Sequence, residues 1–140
     1  ERHDPYKDYT DLALALCSVR RRWAGAEVVA TCATGGRPDM ALSVLGLLAG
    51  YEDAPVWIAE DKVVGRILHA GESWTIEGSE GKTFSIIAIA PNTEVSEHGL
   101  EWELDHAPLG LLADTGISNV VRSTATIQVH TGTAIAYLYK

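Results

Sequence analysis

Hydrophobic residues near the start of the chain recur at the spacing of a single helix face. The pattern predicts a helix over residues 8–24, with an apolar face formed by Leu12, Leu16, Val19 and Trp23. Either Asp8 or Thr10 is a suitable cap for the amino terminus of this helix. Gly25 follows directly and is suited to ending it.

The next apolar segments alternate between strand-like and helix-like patterns. A β-branched run predicts a buried strand over residues 27–33, and PVWIAE predicts another over residues 55–60. Between them, residues 38–50 have the pattern of a second helix, with Pro38 at its first position. Helix, strand, helix and strand in this order are typical of a parallel α/β layer.

After about residue 61 the apolar runs become short and are separated by glycine-rich turns. This pattern of short apolar runs and turns predicts an antiparallel β-sandwich or jelly-roll-like lobe of about six to eight strands. The predicted organisation is therefore a partial α/β (Rossmann-like) lobe at residues 1–60 and an all-β lobe at residues 61–140. Two strands are few for a parallel sheet, so we expect a truncated chain or a sheet that a partner completes.

Composition excludes several classes of partner. The formal net charge is −8, which disfavours binding to nucleic acid or to anionic membranes. The N-terminal sequence is not a signal peptide, and no apolar run is long enough to span a bilayer. Cys17 and Cys32 form no CxxC motif, so we expect two buried thiols in a reducing compartment rather than a zinc site. A cytoplasmic protein is the expectation.

The segment KDYTD contains the first candidate site. Asp8 and Asp11 are three residues apart, so on a helix start they point to the same side. Two such carboxylates can hold Mg²⁺, which prefers oxygen ligands. The alternative is that Asp8 caps the helix and Asp11 stabilises its dipole.

The segment ATGGRPDM, residues 33–40, joins a predicted strand to a predicted helix. Gly35 and Gly36 allow a phosphate to approach the backbone, and a helix amino terminus favours an anion. Arg37 can pair with a phosphate through two parallel hydrogen bonds, and Asp39 can bind a cation or a hydroxyl. The segment matches neither the P-loop nor the dinucleotide fingerprint, and a tight turn is the alternative.

The segments GLEWEL and TGISNVV form the third candidate. Alternation in GLEWEL predicts a strand with Leu100, Trp102 and Leu104 on one face. Ser118 and Asn119 offer short hydrogen-bonding side chains where another strand begins, or they form a turn. The sequence contains no recognisable catalytic triad, because none of the five histidines neighbours a candidate nucleophile.

Together and in order, these three segments resemble the thiamine pyrophosphokinase family. KDYTDLALAL resembles the family's K-D-x-T-D-L segment, and ATGGRPDM resembles its G-x-x-G-G-R-x-D-H segment. GKTFSII, GLEWEL and the later SN resemble its β-lobe signature of G-x-x-(F/V)-S-(L/I), G-L-x-(Y/W)-x-L and S-N. The resemblance covers most of the chain, from about Lys7 onward.

The resemblance implies an activity and an assembly. The family transfers a pyrophosphoryl group from ATP to the hydroxyl of thiamine, with Mg²⁺, giving thiamine diphosphate and AMP. It combines an α/β lobe with a β-sandwich lobe and works as a homodimer with its sites between subunits. Such chemistry depends on positioning and electrostatic stabilisation, so it needs no covalent nucleophile.

The resemblance also implies roles for individual residues. Those implied to bind the ATP phosphates are Asp8, Asp11, Gly35, Gly36 and Arg37. The first two of these would hold Mg²⁺. Arg37 and Asp39 would be the catalytic residues that position the phosphates and the reacting end of thiamine. Ser118 and Asn119 would lie beside the thiamine ring.

The chain departs from the family pattern in two places. Met40 stands where the family often has His, and the family's upstream Asp-rich segment, D-G-D-x-D-S, has no counterpart here. We therefore expect the chain alone to be inactive. One alternative is a non-catalytic β-sandwich that binds a small ligand, with the α/β part serving as a dimer scaffold. Another is a different Mg²⁺-dependent nucleotide enzyme that shares only the α/β lobe.

Overall fold

The computed structural model describes residues 9–140. Within them lie two helices, α1 at Asp11–Arg22 and α2 at Pro38–Ala49. The strands are β1 Val28–Thr31, β2 Val56–Ala59, β3 Val63–His69, β4 Ser73–Ile76, β5 Thr83–Ala88, β6 Thr93–Leu100, β7 Leu104–Leu109, β8 Asn119–Thr131 and β9 Thr133–Tyr139. The described chain is therefore mostly β-sheet with two helices, which confirms the predicted succession of helical and strand segments.

Local sequence explains where the two helices begin. The Thr10 side chain accepts a hydrogen bond from the Ala13 backbone N–H at 3.2 Å, so Thr10 is the N-cap of α1. The alternative cap, Asp8, lies outside the described residues. Helix α2 begins at Pro38, whose fixed φ suits the first helical position. Neither described helix has the length and apolar character needed to cross a membrane.

The strands form one hydrogen-bonded path in the order β1-β2-β3-β9-β5-β8-β6-β7, and β4 pairs with β8. Strands β1 and β2 are parallel, and α2 connects them. The other pairings between named strands are antiparallel, as predicted for residues 61–140. The 13-residue strand β8 bonds β5 near its start and β4 and β6 farther along, so it links the two halves of the β-structure.

Two hydrophobic clusters stabilise this arrangement. One packs the helices against the sheet and includes Leu48, Tyr51 and Ile58. It also includes Ile67 and Ile135, so residues beyond position 60 contribute to the core beneath the helices. The second cluster fills the β-structure and contains Trp74, Ile76, Phe84, Ile86, Val95, Ile127 and Val129. The division into domains at residue 60 stays a prediction.

The segment GLEWEL does not form the predicted strand. Strand β6 ends at Leu100 and β7 begins at Leu104, so residues 101–103 are the turn of a hairpin. Gly99 adopts a φ of 79°, which distorts β6 just before this turn. Leu100 is buried, whereas Trp102 is 62% exposed, so the two do not share a strand face.

The expectation of buried thiols is also wrong, because Cys17 and Cys32 are both exposed. Leu16 and Val19 form part of the face of α1 that packs on the sheet, and the intervening Cys17 points away from it. Cys32 lies just beyond the end of β1, at a φ of 53°. Neither position belongs to a hydrophobic cluster.

Candidate functional site

The loop that follows β1 is held by the carboxylate of Glu60, which directly follows β2. Glu60 Oε1 accepts hydrogen bonds from the backbone N–H of Ala33 at 2.9 Å and of Thr34 at 3.2 Å. The hydroxyl of Thr34 donates to the same oxygen at 3.2 Å. These donors favour the charged carboxylate, so the pKa of Glu60 lies below its ordinary value. The loop is thus fixed at the carboxyl ends of the two parallel strands, where α/β sheets bind ligands.

Arg37 and Asp39 form an ion pair at the amino terminus of α2. Arg37 Nη2 donates to Asp39 Oδ2 at 2.5 Å, and Arg37 Nε donates to Asp39 Oδ1 at 3.1 Å. The fork-like contact raises the pKa of Arg37 and lowers the pKa of Asp39, so both groups are charged near neutral pH. Both side chains are exposed, so a ligand can reach either group.

Gly35 and Gly36 leave open space next to this ion pair. A Cβ atom added at either glycine would meet no other atom within 4 Å. Gly36 adopts a φ of 87°, which disfavours other residues there. The loop therefore combines an accessible backbone, a cation and an anion, which suits binding of a phosphate group.

The described residues contain only part of the predicted magnesium site. Asp11 lies in the first turn of α1, as predicted, and Asp8 lies outside the described residues. The carboxylate of Asp39 forms an ion pair with Arg37. Within residues 9–140, no three groups from His, Cys, Asp and Glu come together in a way that could hold a metal ion.

A separate pocket of about 240 Å³ opens in the β-structure. Its walls come from β6, from the β6–β7 turn and from the segment before β8. The lining residues are Glu97, Trp102, Leu104, Thr115, Gly116, Ile117 and Asn119. The pocket thus contains an aromatic side chain, aliphatic side chains, one amide and one carboxylate, a composition typical of small-molecule sites.

Asn119 is the residue that fixes the turn beside this pocket. Its Oδ1 accepts from the Trp102 backbone N–H at 3.1 Å, and its Nδ2 donates to the Trp102 carbonyl at 2.7 Å. Oδ1 also accepts from the Val120 backbone N–H at 2.9 Å. Ser118 is exposed at a φ of 61°, and its backbone N–H donates to the hydroxyl of Ser85 at 3.0 Å. Of the predicted pair, Asn119 therefore lies in the pocket wall, whereas Ser118 is not among the lining residues.

Glu97 contributes a carboxylate to the same wall. The residue is 0% exposed, and its Oε1 has no hydrogen-bond partner among the described residues. Its Oε2 is 3.5 Å from Asn119 Nδ2. Burial raises the pKa of Glu97 to about 7, although the amide of Asn119 favours the charged form.

Sequence reasoning missed both Glu60 and Glu97. Glu60 had a usable signal, because an acidic residue at the end of one parallel strand lies near the end of its neighbour. Glu97 had a weaker signal, since it follows Val95 at the two-residue spacing of one strand face. The third unpredicted feature is the exposure of Trp102. The alternating pattern of GLEWEL predicts a strand at this position, where the structure has a hairpin turn.

Known proteins resemble both the sequence and the fold. The family model for the thiamin pyrophosphokinase vitamin B1 binding domain matches residues 73–135, which include every residue that lines the pocket. Thiamine pyrophosphokinase 1 of Arabidopsis thaliana is 28% identical over 131 residues, or 87% of this chain and 48% of that protein. The chain therefore spans about half the length of this curated relative.

Solved structures share the fold. Thiamine pyrophosphokinase from Bacillus subtilis matches with a TM-score of 0.78 at 21% identity, over 96% of this chain and 64% of that one. Thiamin pyrophosphokinase from Geobacillus thermodenitrificans matches with a TM-score of 0.76 at 24% identity, over 96% and 63% of the respective chains.

Proposed function

Because the chain belongs to the thiamine pyrophosphokinase family, we propose that it acts in the transfer of a pyrophosphoryl group from ATP to the hydroxyl of thiamine. The products are thiamine diphosphate and AMP. The observation that carries the proposal is the pocket bounded by Trp102 and Asn119, which lies wholly within the region matched by the vitamin B1 binding domain.

The pocket provides the contacts that a two-ring cation such as thiamine requires. The exposed indole of Trp102 offers a flat π-face, against which a heteroaromatic or cationic ring can stack. Leu104 and Ile117 supply aliphatic contacts. Asn119 holds the Trp102 backbone in place, and its exposed neighbour in the chain is Ser118, to which we assign a contact with the thiamine ring.

At the nucleotide end, we assign the phosphates of ATP to the loop of Gly35, Gly36 and Arg37. The open backbone of the two glycines lets phosphate oxygens approach closely. Arg37 can exchange its fork-like contact with Asp39 for an equivalent contact with a phosphate. This loop follows β1 in the β1-α2-β2 unit, to which we assign the Rossmann-like lobe.

In the proposed reaction, the hydroxyl oxygen of thiamine forms a bond to the β-phosphorus of ATP. The bond from that phosphorus to the bridging oxygen breaks and its electrons leave with AMP, while the proton of the thiamine hydroxyl passes to solvent. Arg37 would stabilise the charge that builds on the phosphate oxygens. Asp39, with an ordinary pKa of 3.8, stays ionised near neutral pH after Arg37 turns to the phosphate, so it would accept the hydrogen bond of the attacking hydroxyl and orient it.

Mg²⁺ is part of this proposal, although the described residues offer only part of a site. Asp11 is accessible in the first turn of α1, and Mg²⁺ commonly takes only one or two carboxylates plus phosphate oxygens. We assign Asp8 and Asp11 to the ion, which would neutralise phosphate charge. We derive no further step from it, because no three ligating groups converge within residues 9–140.

We also propose a homodimer and a cytoplasmic location. A groove of about 350 Å³ between α2 and the β-structure is lined by apolar side chains, among them Leu42, Leu111 and Leu112, which are largely exposed. Burial of such a patch in a second copy of the chain would remove it from water. Two exposed free thiols suit a reducing compartment.

Calorimetric titration with thiamine, with and without Mg²⁺ and a non-hydrolysable ATP analogue, tests the binding step. We expect saturable binding at one site per chain, lost in Trp102→Ala and retained in the control Trp23→Ala, an exposed tryptophan next to α1. Absence of binding under every condition would contradict the proposal. Chromatographic detection of thiamine diphosphate and AMP after incubation with MgATP tests the transfer.

The same experiment distinguishes the non-catalytic alternative. A small-ligand-binding module would bind thiamine but form no AMP even after a family member's upstream Asp-rich segment is fused to the chain, whereas a fragment of an active enzyme would then form AMP. The relatives do not favour that reading, because their names are those of pyrophosphokinases.

A further inference from the structure

A buried carboxylate oxygen without a partner is costly unless something outside the chain satisfies it. Glu97 is fully buried, yet Oε1 finds no donor among the described residues. The other oxygen has only a long contact of 3.5 Å with Asn119 Nδ2. Burial of an unsatisfied charged group is among the more unfavourable arrangements in a protein, and a ligand that donates a hydrogen bond to Oε1 would remove this cost.

Two basic side chains on β6 and β8, the strands next to the pocket, have other partners. Arg122, on β8, pairs with Glu101. His98, the residue after Glu97, has Nδ1 3.7 Å from Glu103 Oε2. Asn119 uses its amide mainly on the Trp102 backbone. The carboxylate of Glu97 therefore lines the pocket without a strong donor from residues 9–140.

We propose that Glu97 determines which ring the pocket accepts, by accepting an N–H hydrogen bond from an amino-substituted heteroaromatic ring placed against the indole of Trp102. This inference rests on the proposed function and adds to it a recognition element for one half of the substrate. In thiamine the matching group is the amino group of the pyrimidine ring. The hydroxyl that reacts is on the other ring, so Glu97 would set specificity and orientation without touching the reacting atoms.

The electrostatics of the pocket are consistent with this role. Burial raises the pKa of Glu97 to about 7, so a substantial fraction of the free chain holds a proton there at neutral pH. A ligand N–H donor favours the ionised carboxylate, so binding should release a proton to the buffer. A purely structural carboxyl group would not couple proton release to ligand binding.

Oxythiamine is the discriminating probe, because an oxo group replaces the amino group on its pyrimidine ring. The two compounds are compared well above pH 7, where Glu97 is ionised, so that the oxo oxygen would face a carboxylate oxygen and be repelled. The amide of a Gln side chain can rotate to present either an N–H or an oxygen, so Glu97→Gln should accept both compounds. The change preserves shape, and Glu101→Gln, an exposed carboxylate in the adjacent turn, is the matched control.

The experiment measures calorimetric affinities of thiamine and oxythiamine for the unaltered chain and for both variants. We expect the unaltered chain and Glu101→Gln to prefer thiamine by about tenfold or more, and Glu97→Gln to lose most of that preference. Titrations of the unaltered chain in two buffers of different ionisation enthalpy should reveal proton release near neutral pH, which disappears in Glu97→Gln.

Each outcome bears on a different statement. If the unaltered chain binds thiamine and Glu97→Gln keeps the same preference, the role of Glu97 is overturned and the proposed function stands. If the unaltered chain binds neither compound, both are overturned. Should Glu97→Gln fail to fold in a thermal melt, Glu97→Asp serves instead, since it keeps the charge but retracts it. Unchanged thiamine affinity in Glu97→Asp would overturn the role.

Discussion

The side-chain amide of Asn119 holds the peptide groups on both sides of Trp102, accepting from its N–H at 3.1 Å and donating to its carbonyl at 2.7 Å. This contact mimics the hydrogen bonding of a neighbouring strand. It ties the first residue of β8 to the tip of the β6–β7 turn, although 17 residues separate the two along the chain. The turn that carries the exposed indole is therefore fixed by a residue in the pocket wall.

Asn119→Ala should destabilise the chain and weaken thiamine binding together. The change removes four hydrogen bonds, one of them the long contact with Glu97, from a residue that is only 3% exposed, and leaves the Trp102 peptide without its partners. We expect a loss of roughly 2–4 kcal/mol in the free energy of unfolding. Urea denaturation measures it, with Ser123→Ala on the exposed side of β8 as the control. A loss no greater than that of the control would contradict the structural role of Asn119.

Glu97 should make the stability of the chain fall as pH rises. Its pKa is about 7 in the folded chain, compared with 4.5 without burial, so between these values the folded state binds more protons than the unfolded state. Stability is then greatest below pH 4.5 and declines until the pH exceeds about 7, by roughly 3 kcal/mol if this group acts alone.

The variant Glu97→Gln isolates this contribution from all other titrations. The free energy of unfolding of Glu97→Gln minus that of the unaltered chain should be near zero at the acidic end of this range. It should grow as the pH rises and level off above about 7. Chemical denaturation at several pH values measures the difference. A difference that is flat with pH would mean that folding leaves the pKa of Glu97 at its ordinary value.

Periodicity predicted the elements with one clear apolar face and failed where distant contacts decide the conformation. The helices and the β1 and β2 strands lie within a few residues of their predicted bounds, because Leu16, Val19 and Ile58 follow the repeat of their element. Leu100, Trp102 and Leu104 show the same regularity, yet they flank and occupy a turn. The decisive contact comes from Asn119, and no local pattern reveals it.

The candidate site likewise has a part that local sequence predicts and a part that depends on contacts between distant residues. Arg37 and Asp39 are two residues apart at a helix start, so their proximity follows from local geometry. The contact between Glu60 and the loop at Thr34 depends on the pairing of two parallel strands, and burial of Glu97 depends on the packing of the β-structure. The contacts and burial of these two carboxylates depend on the assembled sheet, so local sequence does not reveal them. The proposed nucleotide and thiamine roles stay predictions.

Arg37→Lys should weaken nucleotide binding with little change in melting temperature. Lysine keeps the charge but cannot form the two parallel hydrogen bonds that arginine makes with Asp39 and would make with a phosphate. Because the ion pair is exposed, its loss should scarcely affect folding. Calorimetry with a non-hydrolysable ATP analogue measures the effect, with Arg21→Lys at the end of α1 as the control. Equal affinities in the two variants would remove Arg37 from the proposed phosphate site.

Gly99→Ala should disrupt the hairpin that carries Trp102, and Gly78→Ala provides a control for backbone strain. Both glycines have positive φ, 79° and 59°, so alanine is strained by about 1 kcal/mol at either position. A Cβ at Gly99 would also lie 2.3 Å from the carbonyl oxygen of Thr124 and 2.9 Å from the Cα of Ala125, whereas Gly78 has open space. Since backbone on β8 would have to move away from β6, we expect a loss of at least about 3 kcal/mol for Gly99→Ala. Urea denaturation of the two variants measures this difference, and equal losses would show that β8 can shift without cost.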